Sequence, residues 1–291
     1  MSPSMAWVGD GVVPREEARV SIDDFAFRYG GACFETMLAR HGRVFRLDAH
    51  LDRLERGLAG LRATPPARDL LQRAITETLS ANGLTEASVR LTVTAGSGRV
   101  PDLDRASDPL VVVTADPLPE AAAPARLRVS TVRLDQRRSL REAKSAQFLP
   151  YLLARGEAHD AGVDDALMLD RAGRIAETTT ANVFLVQGER LLTPSLESGA
   201  LPGVTRAVVL EIARTLGVMV VEADVTPSEL GRAGAVFLTS SVAGLRPVAL
   251  IEGSPPASDP IIWRAPEAPH PLVERLQKAY EALVERECAG A

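Results

Sequence analysis

The sequence predicts a mixed α/β protein of two domains, on three observations. The chain has 291 residues, room for two domains of roughly 150 residues each. Short runs with the period-2 alternation of strands interleave with segments that repeat at the helical period. Residues 116–125, D-P-L-P-E-A-A-A-P-A, break both periodicities with three prolines and several alanines, the composition of a linker. The chain therefore divides into a smaller N-terminal α/β domain over 1–117, a linker over 118–125 and a larger C-terminal domain over 126–291. A hydrophobic fraction of 46% supports a sizeable core.

In the N-terminal half, W-V-G-D-G-V-V-P (Trp7 to Pro14) reads as a hairpin that turns at Asp10-Gly11. Ala18 to Ile22 alternates as a strand would. The stretch from Asp24 to Met37 turns on its glycines, then runs as a strand from Cys33 to Arg40. His41-Gly42 is a hairpin turn, and Val44-Phe45 resumes the strand. A helix begins at Asp48 and carries Leu51, Leu54, Leu58 and Leu61 on one stripe, with His50 and Arg53 off it. A second helix starts near Thr64, with Pro65 or Pro66 in its first turn, and stops at Gly83. Val89 to Thr94 and Leu110 to Ala115 are strands, joined by a loop through G-S-G-R-V-P-D-L-D.

The C-terminal half alternates. Leu127 to Leu134 is a strand, and a helix follows from about Phe148 to Gly162. Strands follow at Ala166 to Asp170 and Val183 to Val186, with a turn at Ala172-Gly173 leading to Ile175. The helix Val204 to Leu216 has an apolar face of Val208, Val209, Ile212 and Leu216. Val218 to Val221 and Ala235 to Thr239 are strands, and the tail from Pro269 to Arg286 is amphipathic.

A net charge of -5 argues against a nucleic-acid partner. Cys33 and Cys288 have neither metal-ligand spacing nor a disulfide framework, which fits a reducing cytoplasm. The N-terminal M-S-P-S-M-A-W-V-G-D lacks a basic stretch leading into an apolar core, so no signal peptide is expected. No apolar run approaches the ~20 residues that span a bilayer.

The residues that carry chemistry concentrate from Lys144 to Arg206. R-E-A-K-S-A-Q-F-L (Arg141 to Leu149) carries Lys144, one of few lysines in an arginine-rich chain. A-E-T-T-T-A-N-V-F-L-V (Ala176 to Val186) carries Glu177 at a strand end. In L-P-G-V-T-R (Leu201 to Arg206) a glycine opens a helix, so the N–H groups of Val204 and Thr205 lie at a positive helix end that suits an anion. In T-S-S-V-A-G-L-R-P-V (Thr239 to Val248) a strand runs into Ser240 and Ser241, which offer hydroxyl and backbone donors. Singly, these are an ordinary surface lysine, a strand-end glutamate, a cap and a turn. In this order and spacing they resemble the class IV aminotransferases, the fold-type IV enzymes that use pyridoxal phosphate (PLP). That family includes branched-chain and D-amino acid aminotransferases and aminodeoxychorismate lyase. D-F-A-F-R-Y-G-G-A-C-F-E-T resembles the family's D-R-G-F-x-[YF]-G-D-G-x-F-E-T, with Phe25, Ala26, Gly31 and Ala32 as the departures. H-L-D-R-L matches the segment in which the family places an arginine on the phosphate, here Arg53.

The resemblance implies a fold and a division of labour. The fold is a smaller N-terminal α/β domain and a larger C-terminal domain with a barrel-like β core, PLP in the cleft between them, and a homodimer. Lys144 would hold the cofactor's aldehyde and, once released, move protons as a base whose charge a dry, cationic site disfavours. Glu177 would keep the pyridine nitrogen protonated by a charge-assisted hydrogen bond. Arg53, Val204, Thr205, Ser240 and Ser241 would bind the phosphate. Phe34 lies in the stretch that lines the substrate side, and Arg28, Arg99 and Arg246 are candidates for substrate carboxylates. T-S-S-V-A-G-L-R-P-V looks more like the lyases, whereas the aminotransferases more often carry [AS]-E-[IV]-T-P-V there. Aminodeoxychorismate lyase is therefore the first expectation. An aminotransferase for branched-chain L- or D-amino acids is the alternative, and an inactive scaffold of the same fold is the third. Against a simple D-amino acid enzyme, Ala95 stands where those enzymes tend to carry arginine. No tyrosine closely follows Lys144, since Phe148 and Leu149 occupy those places, so the cofactor's phenolic oxygen needs another donor.

Overall fold

The computed structural model describes residues 4–135, 143–254 and 261–290, in two units. The first holds the described residues of Met1–Pro119, Glu142–Phe148 and Val284–Ala291; the second holds those of Glu120–Arg141 and Leu149–Leu283. Lys144 thus groups with the first unit, not with the remainder of 126–291. Arg141 and Glu142, at the head of the lysine segment, lie outside the described residues.

The first unit has strands β1 Met5–Val8, β2 Gly11–Pro14, β3 Ala32–Arg40, β4 Arg43–Val44, β5 Ala87–Thr94 and β6 Val111–Pro117. They form one antiparallel sheet in the order β2-β1-β6-β5-β3-β4. β5 shows the cause: Ala87, Val89, Leu91 and Val93 are buried and alternate with less buried Ser88, Arg90 and Thr92. The helices are α1 Phe25–Tyr29, α2 Leu47–Gly60 and α3 Arg68–Ala81. α2 packs on β3 through the expected leucines, and α3 packs on the sheet through Leu71, Ala74, Ile75 and Leu79.

Several expectations are corrected here. The first hairpin turns one residue early, at Gly9-Asp10, because Gly9 takes φ +69° and Val8 pairs with Gly11. Ala18 to Ile22 is not a strand. Arg19 bonds the carbonyls of Glu16 and Ala18, and Ile22 is 76% exposed, so its alternation has no sheet to join. The glycine-led turn contains a short helix, α1, which Asp24 caps by accepting from the Ala26 N–H at 2.7 Å. Pro65 and Pro66 precede α3 instead of opening it, because a proline disfavours helical backbone in the residue before it.

The second unit contains β7 Ala125–Leu134, α4 Leu149–Asp160, β8 Asp165–Asp170, β9 Ile175–Thr178, β10 Asn182–Gln187, β11 Arg190–Pro194 and α5 Val204–Thr215. It continues with β12 Met219–Ala223, α6 Pro227–Leu230, β13 Ala235–Ser240, β14 Gly244–Glu252, β15 Ile261–Arg264 and α7 Pro271–Cys288, whose end from Val284 groups with the first unit. Six strands close on themselves in the order β10-β13-β14-β7-β8-β9, and the pairing of Glu177 with Asn182 returns β9 to β10. This is the expected barrel-like core. Leu127, Val129, Leu167, Leu169, Ile175, Val183, Leu185, Val236 and Leu238 belong to the cluster that fills it. β8 is buried on both faces: Leu167 and Leu169 join that cluster, while Ala166 and Met168 pack with Ala154 and Ala158 of α4. One edge of β10 is shared, β11 taking Leu185 to Gln187 and β9 taking Asn182. Among the described residues no helix is long and apolar enough to cross a membrane.

Candidate active site

In the first unit the lysine segment is joined to the start of β3. The Lys144 carbonyl accepts from the Phe34 N–H at 2.9 Å, and the Ala146 N–H donates to Ala32 at 2.8 Å. Close approach of α2 permits this: a Cβ on Gly57 would fall 2.8 Å from Cys33 Sγ and 3.2 Å from Ala143 Cβ. With its backbone fixed, half-buried Lys144 places Nζ 4.8 Å from the centre of the Phe34 ring. The guanidinium of exposed Arg90 stacks on the same ring at 3.8 Å, and Phe148 meets that ring edge-on at 6.0 Å. Arg90 did not stand out in the sequence, since alternation makes it an ordinary outward residue of β5. Arg28 donates to the Gly98 carbonyl at 2.8 Å, beside exposed Arg99.

Beneath these residues lies a buried charge cluster. Glu35 accepts from Arg53 Nε at 2.8 Å, from a second Arg53 nitrogen at 2.5 Å and from His50 Nδ1 at 2.7 Å. All three side chains are buried, although the α2 stripe left His50 and Arg53 outside. The two-pronged contact fixes the plane of the guanidinium, so Glu35 is what orients Arg53. Burial alone would raise the Glu35 pKa, but the paired Arg53 and the His50 bond hold it at about 2, from an ordinary 4.5. Burial lowers the His50 pKa, with the charges of Arg53 and Lys144 acting in the same direction against Glu35. A neutral His50 therefore donates from Nδ1. Burial pushes the Cys33 thiol up to about 12, which leaves it unreactive.

Because the folded pKa of Glu35 is depressed, its contribution to stability is complete above about pH 4.5 and is lost as pH falls toward 2. At 1.36 kcal/mol per pKa unit the contribution is on the order of 3 kcal/mol. Glu35→Gln is expected to lose that pH dependence and to unfold at lower denaturant at neutral pH. Urea titrations of both proteins between pH 2 and 7 measure it; parallel curves would show that Glu35 carries no such linkage.

In the second unit a row of polar side chains crosses three strands. Glu177 of β9 pairs with Asn182 of β10, which pairs with Thr239 of β13. Val183 and Leu238, the strand neighbours of Asn182 and Thr239, belong to the barrel core, so the row faces outward. Glu177 is 5% exposed and is held at both oxygens, by the Tyr151 hydroxyl at 3.0 Å and the Leu201 N–H at 3.0 Å. Asn182 in turn donates to the Leu201 carbonyl at 2.8 Å. A Cβ on Gly203 would fall 2.0 Å from Asn182 Oδ1, so only glycine lets the chain enter α5 so close to this row. Gly203 brings no side-chain cap to α5, whose first turn holds buried Val204 and Thr205. Their N–H groups lie beyond the reach of carbonyls within the helix. Thr239 Oγ1 is buried without a hydrogen-bond partner among the described residues. Half-buried Ser240 and Ser241 follow it at the β13–β14 turn.

Arg246 is placed elsewhere. Its β13 partner Leu238 lies in the barrel core, and it bonds the Ala123 carbonyl at 2.7 Å with Asp164 at 3.4 Å. It is not brought to the Glu177 row. Asn182, Thr239 and Tyr151 join that row without having been singled out in the sequence. Asn182 alone carried a signal, as the asparagine of the E-T-T-T-A-N segment.

An orphaned buried hydroxyl beside an uncapped helix end is a donor set for an oxyanion. A dry carboxylate fixed at both ends suits a protonated ring nitrogen. Both fit the phosphate and pyridine of PLP.

Comparison with known proteins agrees. The family model described as amino-transferase class IV matches residues 32–251. Over 258 residues the chain is 34% identical to branched-chain-amino-acid aminotransferase-like protein 2 of Arabidopsis thaliana; this covers 86% of the chain but only 46% of that protein, so the chain spans about half its length. The crystal structure of a T.th. branched-chain amino acid aminotransferase with pyridoxamine 5'-phosphate superposes with a TM-score of 0.86 at 30% identity, covering 100% of this chain and 98% of that one. The 4-amino-4-deoxychorismate lyase of Pseudomonas aeruginosa gives a TM-score of 0.81 at 30% identity, over 95% and 98% of the two chains. The chain therefore belongs to the class IV aminotransferases and is a PLP-dependent enzyme.

Proposed function

We propose that the enzyme is an aminodeoxychorismate lyase, which converts 4-amino-4-deoxychorismate to 4-aminobenzoate and pyruvate. The observation that carries this reading is the pair of cations on one ring, Lys144 at 4.8 Å and Arg90 at 3.8 Å from the centre of Phe34. An α-amino acid bears its carboxylate on the carbon that bears the amine. The lyase substrate carries amine and ring carboxylate on opposite sides of a six-membered ring, so a guanidinium set one aromatic ring from the reacting amine suits it. Arg28 and Arg99 offer further positive charge for its second carboxylate. Lys144 takes the proton from the amine-bearing carbon, and departure of pyruvate leaves an aromatic ring. PLP, when bound, supplies the electron sink. Glu177 holds the pyridine nitrogen, while Arg53, the first turn of α5, Thr239, Ser240 and Ser241 hold the phosphate.

Amino transfer to a keto acid is the second reading, favoured by relatives named as branched-chain aminotransferases and by the fit of Arg90 to a side-chain carboxylate on the amino donor. The two separate in one assay. The PLP-loaded protein is mixed with enzymatically made aminodeoxychorismate, without keto acid, and 4-aminobenzoate is followed by fluorescence. Repeated turnover is expected. No product, together with bleaching of the visible cofactor band by branched-chain or D-amino acids, would replace the lyase with the aminotransferase.

A further inference from the structure

We propose that Tyr151 is a positioning residue for the cofactor's ring nitrogen, acting through Glu177. This rests on Glu177 being the pyridine partner, as above. The phenol has two anchors. Its ring packs against the cluster of Leu134, Ala154, Met168 and Ala176, between α4 and the barrel. Its hydroxyl donates to Glu177 Oε1 at 3.0 Å. The other oxygen, Oε2, takes the Leu201 N–H at 3.0 Å. Donors from two different elements, α4 and the approach to α5, therefore stop the carboxylate from rotating about its last bond.

The hydrogen bond also has an electronic effect. A donor on a carboxylate stabilises its ionised form, so Glu177 competes less for the proton on its ring partner. Fixing the carboxylate and weakening its pull on that proton act together: both keep the ring nitrogen protonated.

Tyr151→Phe keeps the packed ring and removes only the hydroxyl, so it separates this role from a structural one. The experiment records the ring-nitrogen resonance of isotope-labelled PLP bound to the wild type, Tyr151→Phe and Glu177→Gln, together with PLP dissociation constants and turnover. In Tyr151→Phe the resonance is expected to move toward the unprotonated position and kcat to fall about tenfold, the loss of one hydrogen bond to a charged group. KM and PLP affinity are expected to change less. A resonance that moves in Glu177→Gln but stays at the wild-type position in Tyr151→Phe overturns the proposal alone. A resonance unmoved in both variants overturns the assignment of Glu177 and this proposal with it.

Discussion

Lys144→Ala is expected to abolish turnover, with kcat reduced by about 10⁴-fold or more, the upper end of what one positioned proton-transfer group contributes. Two functions would be lost at once, because in the proposed mechanism the same amine holds the aldehyde and moves the proton. Two described neighbours offer no replacement base: Arg90 on the Phe34 ring is a guanidinium, and Cys33 beside the segment is held as a thiol by burial. The fold should survive. The segment is joined to β3 through the backbone, by the Lys144 carbonyl and the Ala146 N–H, and alanine retains both bonds. The variant should therefore still bind PLP through the phosphate donors, yet release all of it on denaturation after borohydride treatment. Turnover within tenfold of the wild type would move the chemistry to another residue.

Glu177→Gln is expected to lower kcat by about 10²- to 10³-fold, the usual loss for one preorganised electrostatic contact. PLP affinity should fall far less. The carboxamide keeps the shape and an acceptor for the Tyr151 hydroxyl or the Leu201 N–H, while the proposed phosphate donors at α5 and Thr239 are untouched. Equilibrium titration with PLP and steady-state kinetics on the same preparations make the comparison. Equal losses in affinity and kcat would make Glu177 an anchor for the cofactor in place of a partner for its ring.

Legibility in the sequence followed the range of each signal. Period-2 runs such as Val89 to Thr94 and the leucine stripe of α2 are local, and they marked their elements. The fold-level assignment, a barrel-like core, came from motif resemblance, since the closing pair Glu177–Asn182 leaves no periodic trace. β14 was missed because Arg246-Pro247 reads against a strand. β11, five residues that end in Pro194, was too short to stand out. The Glu35–His50–Arg53 cluster was half hidden. Charged residues count as surface in an apolar stripe, and the partner that allows their burial lies on β3, 15 and 18 positions away. Tyr151 had no signal at all: its partner Glu177 is 26 residues distant, and only the fold brings α4 to β9.

The most direct measurement is the site of covalent attachment. The chain contains two lysines, Lys144 and an exposed Lys278 in α7. The PLP-loaded protein is reduced with borohydride, digested and mapped by mass spectrometry. A pyridoxyl group on the peptide holding Lys144, and on no other, is the expected result. A pyridoxyl group confined to Lys278, or none on a protein that is visibly yellow before reduction, would contradict the assignment on which the rest of the site depends.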